Sequence, residues 1–175
     1  MIISKSPLRI SLFGGGTDFK SYWSKNSGSV ISMAINKYTY VIAKNNFGDE
    51  IYLHWKKREV CKNVNEISHE LIRESLKFCN LHKGLDLVCL SDIAEVGSGL
   101  ASSSSFLAAM IKCFYTLKNL NINKIDLAKT IIKIENDILK KPIGIQDQLI
   151  TSYGSFRRFY FKKNGKITNY KFDNK

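Results

Sequence analysis

No window of this sequence approaches the length of apolar chain that a membrane crossing needs. The N-terminus, Met1-Ile2-Ile3-Ser4-Lys5-Ser6-Pro7, sets a lysine after two apolar residues with no export-type apolar run behind it. A cytoplasmic protein with no membrane partner is the expectation. Cysteine occurs only as Cys61, Cys79, Cys89 and Cys113, none at the short paired spacing of zinc or redox sites, so reduced, packed thiols are expected. Repeats and low-complexity linkers are lacking too, which points to one folded unit in 175 residues. Acid is scarce: 15 Asp and Glu stand against 27 Lys and Arg, for a net charge of +12. That balance favours polyanions of every kind. The lysines, however, are scattered beside asparagines, as in Lys44-Asn45-Asn46, with no dense arginine block and no ribonucleoprotein-type motif. A solvated basic surface follows, and no specific nucleic-acid partner.

What the sequence does have is glycine set among hydroxyls. Ala94-Glu95-Val96-Gly97-Ser98-Gly99-Leu100-Ala101 runs into Ser102-Ser103-Ser104-Ser105 and then into an apolar segment of helical pattern. This is an anion cradle in outline. Gly97 and Gly99 let the backbone approach a ligand, and the serines sit where a helix presents unpaired N–H groups and the positive end of its dipole. Phosphate is the natural guest.

The elements around it follow from periodicity. Ile2–Phe13 predicts a strand that begins in earnest after Pro7. It stops at Gly14-Gly15-Gly16-Thr17-Asp18, where Thr17 or Asp18 is expected to cap a short helix through Trp23. Gly28–Ala43 predicts two short strands joined near Asn36-Lys37, followed by a strand over Ile51–Trp55, a helix over Val64–Phe78 and a strand over Leu85–Leu90. Beyond the serines comes a helix of about four turns, whose aromatics core packing explains. Asn123 should cap a helix from Lys124 to about Leu139, and Lys140-Lys141-Pro142 should break it. Ile143–Tyr153 reads as helical, and strands over Phe156–Phe161 and Ile167–Phe172 are joined by Asn164-Gly165. Taken singly, Arg9 reads as a strand-edge charge, Glu135 as a solvated carboxylate among lysines, and Asp147 as a polar cap of the last helix.

Taken in order, three segments say more. Pro7-Leu8-Arg9-Ile10-Ser11-Leu12-Phe13-Gly14-Gly15-Gly16-Thr17-Asp18, the Gly-x-Gly-Leu-x-Ser-Ser loop and Gly144-Ile145-Gln146-Asp147-Gln148 resemble the GHMP small-molecule kinases. The Gly-Gly-Gly-Thr-Asp and Gln-Asp-Gln variants look most like the sugar branch, in particular the D-glycero-D-manno-heptose 7-phosphate kinases. The resemblance implies an α+β fold, a two-layer sandwich of a mixed sheet and helices, with residues 1–175 forming the amino-terminal, ATP-binding domain. It implies ATP- and Mg²⁺-dependent phosphotransfer to a hydroxyl of a small-molecule sugar phosphate, in the synthesis of nucleotide sugars for surface polysaccharide.

Residue by residue, the resemblance places Gly97, Ser98, Gly99, Leu100, Ala101, Ser102, Ser103 and Ser104 at the nucleotide, with Ser103 and Glu135 as magnesium ligands. Asp147 would accept the proton of the substrate hydroxyl, and Arg9 would lie beside the transferred phosphoryl group and lower the pKa of Asp147. Gly15, Gly16, Thr17 and Asp18 would hold the sugar.

Two positions depart from the family's pattern: Glu95 replaces a usual proline and Ala101 a usual glycine. A left-handed backbone at Ala101 would cost about 1–2 kcal/mol, and Glu95 sets an anion near an anion site. The family's second domain has no counterpart in these 175 residues. The expectation is a truncated or split enzyme, weak or inactive by itself, with self-association or a separate second half among its partners. A nucleotide-binding remnant is the alternative.

Overall fold

In the computed structural model, residues 1–93 and 98–173 are described. Gly97, expected in the cradle, and Glu95, expected to oppose anion binding, lie outside them. Strand β1 (Ile2–Phe13) runs through Pro7 without a break and pairs antiparallel with the 18-residue strand β2 (Gly28–Asn45). Proline interrupts a central strand but not one whose ladder lies on a single side, and β2 is the only strand paired with β1 among the described residues.

The two short strands expected in Gly28–Ala43 are therefore one strand with an irregularity. The register against β1 jumps from Pro7↔Tyr38 to Arg9↔Ala34, so the extra residues at Asn36-Lys37 bulge and bend β2 without ending it. The bend gives β2 two sets of neighbours. Gly28–Met33 pairs with β6 (Phe156–Phe161), and Thr39–Asn45 pairs with β5 (Leu85–Ser91).

Strand β3 (Ile51–His54) lies parallel to β5, and β4 (Arg58–Cys61), too short to show in the sequence pattern, is antiparallel to β3. The hairpin from β6 to β7 (Ile167–Lys171) turns through Asn164-Gly165 as expected. The result is a mixed sheet in the order β4-β3-β5-β2-β6-β7, with β1 also paired to β2.

The helical segment expected over Val64–Phe78 is divided. Val64–Glu66 is one 3₁₀ turn capped by the Asn63 side chain, and helix α2 starts only at Glu70 and ends at Phe78. Between them the Glu59 carboxylate accepts from both the backbone N–H and the hydroxyl of Ser68, which holds that stretch off the helix. Helix α1 is Lys20–Asn26, α3 is Ser102–Leu117, α4 is Lys124–Ile132 and α5 is Gln146–Tyr153. Asn123 caps α4 by accepting from the N–H of Asp126, as expected. Past Ile132 the chain widens into a π-helical stretch, Lys133–Ile138, that carries Glu135.

Helix α3 is the hub, packing on both β1 and β2. Ala108 and Ala109 are fully buried and let its backbone sit close to the sheet, while Leu107, Met110, Ile111 and Phe114 fill the core with Val41, Ile51, Leu53 and Leu87. A smaller cluster of Val30, Leu149, Ile150, Phe159 and Phe161 lies under α4 and α5. The opposite sheet face exposes Ile3, Tyr52 and Val60. The architecture is thus the expected two-layer α+β sandwich. The four thiols are free, and burial pushes Cys79 up to about 12 and Cys113 up to about 11, which keeps both as unreactive packing groups. Among the described residues no helix is long and apolar enough to cross a membrane.

Candidate active site

The glycine turn after β1 is shaped by close approach. Gly14 has φ +83°, and a Cβ there would lie 1.9 Å from the Ser29 carbonyl oxygen. Thr17 and Asp18 do not cap α1, whose N-cap is Phe19 with no side-chain bond. Their polar atoms are used inside the turn instead. Thr17 Oγ1 donates to the Gly14 carbonyl at 2.8 Å and accepts from the Ser29 N–H at 3.0 Å, pinning the turn to the start of β2. Asp18 is 1% exposed. One of its oxygens accepts from the Gly16 N–H and the other from the Gln146 N–H, both at 3.0 Å. Its carboxylate thus clasps the turn to the N-terminus of α5, where the helix dipole favours an anion.

Arg9 projects from the middle of β1 and is 8% exposed, so it is no strand-edge surface charge. Its Nε and Nη2 donate to Asp147 Oδ1 at 2.9 and 2.6 Å, its Nη1 donates to the Gly99 carbonyl at 2.5 Å, and its backbone N–H donates to the Leu100 carbonyl. One guanidinium thus ties the serine loop to the first turn of α5. Both bonds to Asp147 fall on Oδ1, leaving Oδ2 clear of the arginine. Burial pushes the Asp147 pKa above the ordinary aspartate value; Arg9 pulls it back only in part, and Asp18 and Glu135 add to the rise. Arg9 thus lowers the pKa as expected, but desolvation outweighs the ion pair and the net shift is upward.

At the start of α3 the first intrahelical bond of this turn is Ser105 N–H to the Ala101 carbonyl, so the amides of Ser102, Ser103 and Ser104 have no acceptor within the helix. Ala101 has φ 62° and ψ 36°, in the left-handed region, and its side chain supplies no cap. Ala101→Gly should relieve about 1 kcal/mol of that strain and raise the thermal midpoint by about 2–4 °C for a chain of this size. Calorimetry on the two proteins checks this, and a lower midpoint for the glycine variant would refute the strain.

The serine hydroxyls point inward. Ser103 Oγ donates to Glu135 Oε1 at 2.8 Å, Ser104 Oγ to Oε2 at 2.7 Å, and Gln148 Nε2 to Oε2 at 2.7 Å. Glu135 is fully buried, not solvated among lysines, because the π-helical stretch turns it under α3. Ser104, 1% exposed, faces this cluster and not the surface.

On the other side of the loop lies a cleft of about 620 Å³, lined by Trp55, His69, Leu90, Ile93 and Phe106 together with Gly99, Ser102 and Ser103. His69 stands edge-on to Trp55 with ring centroids 4.6 Å apart, and 5.7 Å from Phe106. Burial holds the His69 pKa below its ordinary value, which favours the neutral imidazole. Phe106 is not a core aromatic alone but a wall of this cleft. Trp55, His69, Leu90 and Ile93 of the cleft are not singled out by the sequence, unlike Gly99, Ser102 and Ser103. The one signal for Trp55 is a large aromatic ending a strand next to Lys56-Lys57.

The sequence model of the GHMP kinases N-terminal domain matches residues 58–155. The chain belongs to the GHMP kinases. Over 185 aligned residues it is 29% identical to the D-glycero-alpha-D-manno-heptose 7-phosphate kinase of Campylobacter jejuni, covering 95% of this chain and 52% of that protein. It is 30% identical to the galactokinase of Pyrococcus furiosus over 87% of this chain and 44% of that one. This GHMP chain thus spans about half the length of the curated relatives it matches. In fold it resembles a D-glycero-D-manno-heptose 1-phosphate kinase from Bacteroides thetaiotaomicron, with a TM-score of 0.90 at 22% identity over all of this chain and 61% of that one. It also resembles the mevalonate kinase of Methanococcus jannaschii, with a TM-score of 0.74 at 22% identity over 99% of this chain and 56% of that one.

Within this GHMP domain the three sequence motifs meet. Arg9 joins Gly99 and Asp147; Asp18 joins Gly16 to Gln146; Ser103 joins Glu135. Gly15 and Gly16 stand at the open side of the first motif, where a Cβ on Gly16 would meet nothing within 4 Å.

Proposed function

We propose that this domain binds ATP and serves a kinase that phosphorylates a hydroxyl of a sugar phosphate, in particular a heptose 7-phosphate, for surface-polysaccharide nucleotide sugars. The observation that carries it is the Arg9 bridge. One buried guanidinium touches both the loop ahead of α3 and a carboxylate of raised pKa, so a phosphate on the loop and an acceptor hydroxyl at the carboxylate would share one cation.

The free amides of Ser102, Ser103 and Ser104 would receive the nucleotide phosphates, together with the loop backbone from Gly97 to Ala101. The adjoining cleft has the size and aromatic lining of a nucleoside site. Arg9 would neutralise charge on the transferred group, and Asp147 would accept the hydroxyl proton at Oδ2. The turn of Gly15, Gly16 and Thr17 would face the sugar; Asp18, expected to hold the sugar too, would hold the turn's shape instead, because it is buried and both its oxygens accept from N–H groups.

Magnesium fits the donors present. Ser103 Oγ and Glu135 Oε1 are hard oxygens 2.8 Å apart, at a single buried carboxylate without a cationic side chain among its described partners. When bound, the ion would supply charge neutralisation on phosphate oxygens; Glu135 and Ser103 would hold it.

The similarity to the Campylobacter jejuni protein supports the heptose assignment. A coupled assay of ADP release with heptose 7-phosphate, galactose and mevalonate, run on this chain alone and with a second half supplied, tests it. Turnover with the heptose phosphate is the expected result; turnover with galactose or mevalonate alone would overturn the sugar-phosphate reading.

A further inference from the structure

Gln146 opens α5 one residue before Asp147, and three elements converge on its side chain. Ser11 of β1 and Ser32 of β2 are a cross-strand pair in register, and both hydroxyls aim at one atom. Ser11 Oγ donates to Gln146 Oε1 at 2.8 Å and Ser32 Oγ at 3.4 Å. The Gln146 backbone N–H is taken by Asp18. The carbonyl end of the amide is thus held from two strands, and its Nε2 is turned toward the glycine turn: a Cβ on Gly15 would sit 3.8 Å from Nε2 and 4.0 Å from Ser11 Oγ. Among the described residues Nε2 donates no hydrogen bond, and the absence of a side chain at Gly15 leaves the space before it open. Arg9 and Ser11 share one face of β1, two residues apart, so the Ser11–Gln146 pair stands directly beside the Arg9–Asp147 pair.

We propose that Gln146 determines acceptor specificity by donating its Nε2 hydrogens to an oxygen of the phosphoryl acceptor next to the hydroxyl that reacts at Asp147. This rests on the kinase reading and sharpens it. An amide can present a donor or an acceptor; here Ser11 and Ser32 donate to Oε1, so the end turned outward is Nε2, which only donates. It therefore selects a hydroxyl or phosphate oxygen over a deoxy carbon or an N–H at that place. Ser11 and Ser32 are positioning residues, acting through the amide and not on the acceptor.

The test uses Gln146→Leu and Gln146→Glu, both close to the native size, with steady-state kinetics on ATP and heptose 7-phosphate and a separate Mg-ATP titration. Gln146→Leu should raise KM for the sugar phosphate about 2- to 10-fold, the value of one neutral hydrogen bond, with Mg-ATP affinity unchanged. Gln146→Glu should raise it further where the oxygen belongs to the phosphate, which cannot donate, and less where it is a hydroxyl, which can. Folding should survive the glutamate, because an anion at a helix N-terminus is favoured. Across a series of deoxy sugar phosphates, one analogue should respond equally to wild type and Gln146→Leu, since the oxygen being read is missing.

An active wild type whose sugar-phosphate KM moves in neither variant, or a series in which no analogue couples, overturns the assignment of Gln146. A wild type that binds Mg-ATP but transfers no phosphoryl group to any sugar phosphate, alone or supplied with a second half, overturns the kinase reading itself, which is a different result.

Discussion

Asp147→Asn should lower turnover by about 10²- to 10⁴-fold, the usual contribution of a positioned general base, while Mg-ATP binding stays as in the wild type. The substitution keeps the size of the side chain and an oxygen for Arg9, whose two bonds to Oδ1 hold the residue in place. Only the basic oxygen is lost. Because burial raises the Asp147 pKa and Arg9 offsets that rise incompletely, kcat/KM should fall on the acid side at a pH above the ordinary aspartate value. The sign follows from the role: a base works ionised, so activity is lost as pH falls through the raised pKa.

The same shift acts on stability in the other direction. A carboxyl whose folded pKa exceeds its unfolded one stabilises the fold below the unfolded pKa, and that contribution disappears as pH rises through the folded pKa. Asp147→Asn should therefore remove this pH dependence of stability. Stopped assays across pH and thermal unfolding at matched pH values check both. An asparagine variant that turns over like wild type would remove Asp147 from the chemistry.

Gly144→Ala should cost about 3–5 kcal/mol and lower the thermal midpoint by about 10 °C, although it adds one methyl group. A Cβ at this position would lie 1.9 Å from Asp18 Oδ2 and 2.4 Å from its Cγ. The carboxylate is 1% exposed and has no room to retreat without giving up the N–H groups of Gly16 and Gln146. Two charge-assisted hydrogen bonds and the anchor of α5 would go together. The effect should vanish in an Asp18→Ala background, where the methyl finds space, so the double variant should be hardly worse than Asp18→Ala alone. Denaturant unfolding of the four proteins measures the coupling. Strictly additive losses would show that the clasp is not what Gly144 protects.

Local chemistry was open to reading from the sequence. Period-2 and helical patterns placed most strands and helices, Asn123 announced its cap and Asn164-Gly165 its hairpin, and the order of three glycine-punctuated motifs pointed to the family that the domain comparison then established. These features depend on neighbours a few residues away.

What the sequence could not decide depends on distance and burial. Pro7 looked like a strand boundary and is not, because only the sheet reveals that β1 bonds on one side. Glu135, among lysines, reads as solvated until the π-helical stretch turns it under α3 and three hydrogens close on it. Asp18 and Gln146, Arg9 and Asp147, and Trp55 and Phe106 are far apart in the chain and meet only when the sheet forms. Arg9 does lower the Asp147 pKa, as its motif position implies, but the net direction is a sum of desolvation and charge over several elements. Periodicity and turn chemistry are short-range and written along the chain, whereas burial and long-range contact exist only once the layers have packed.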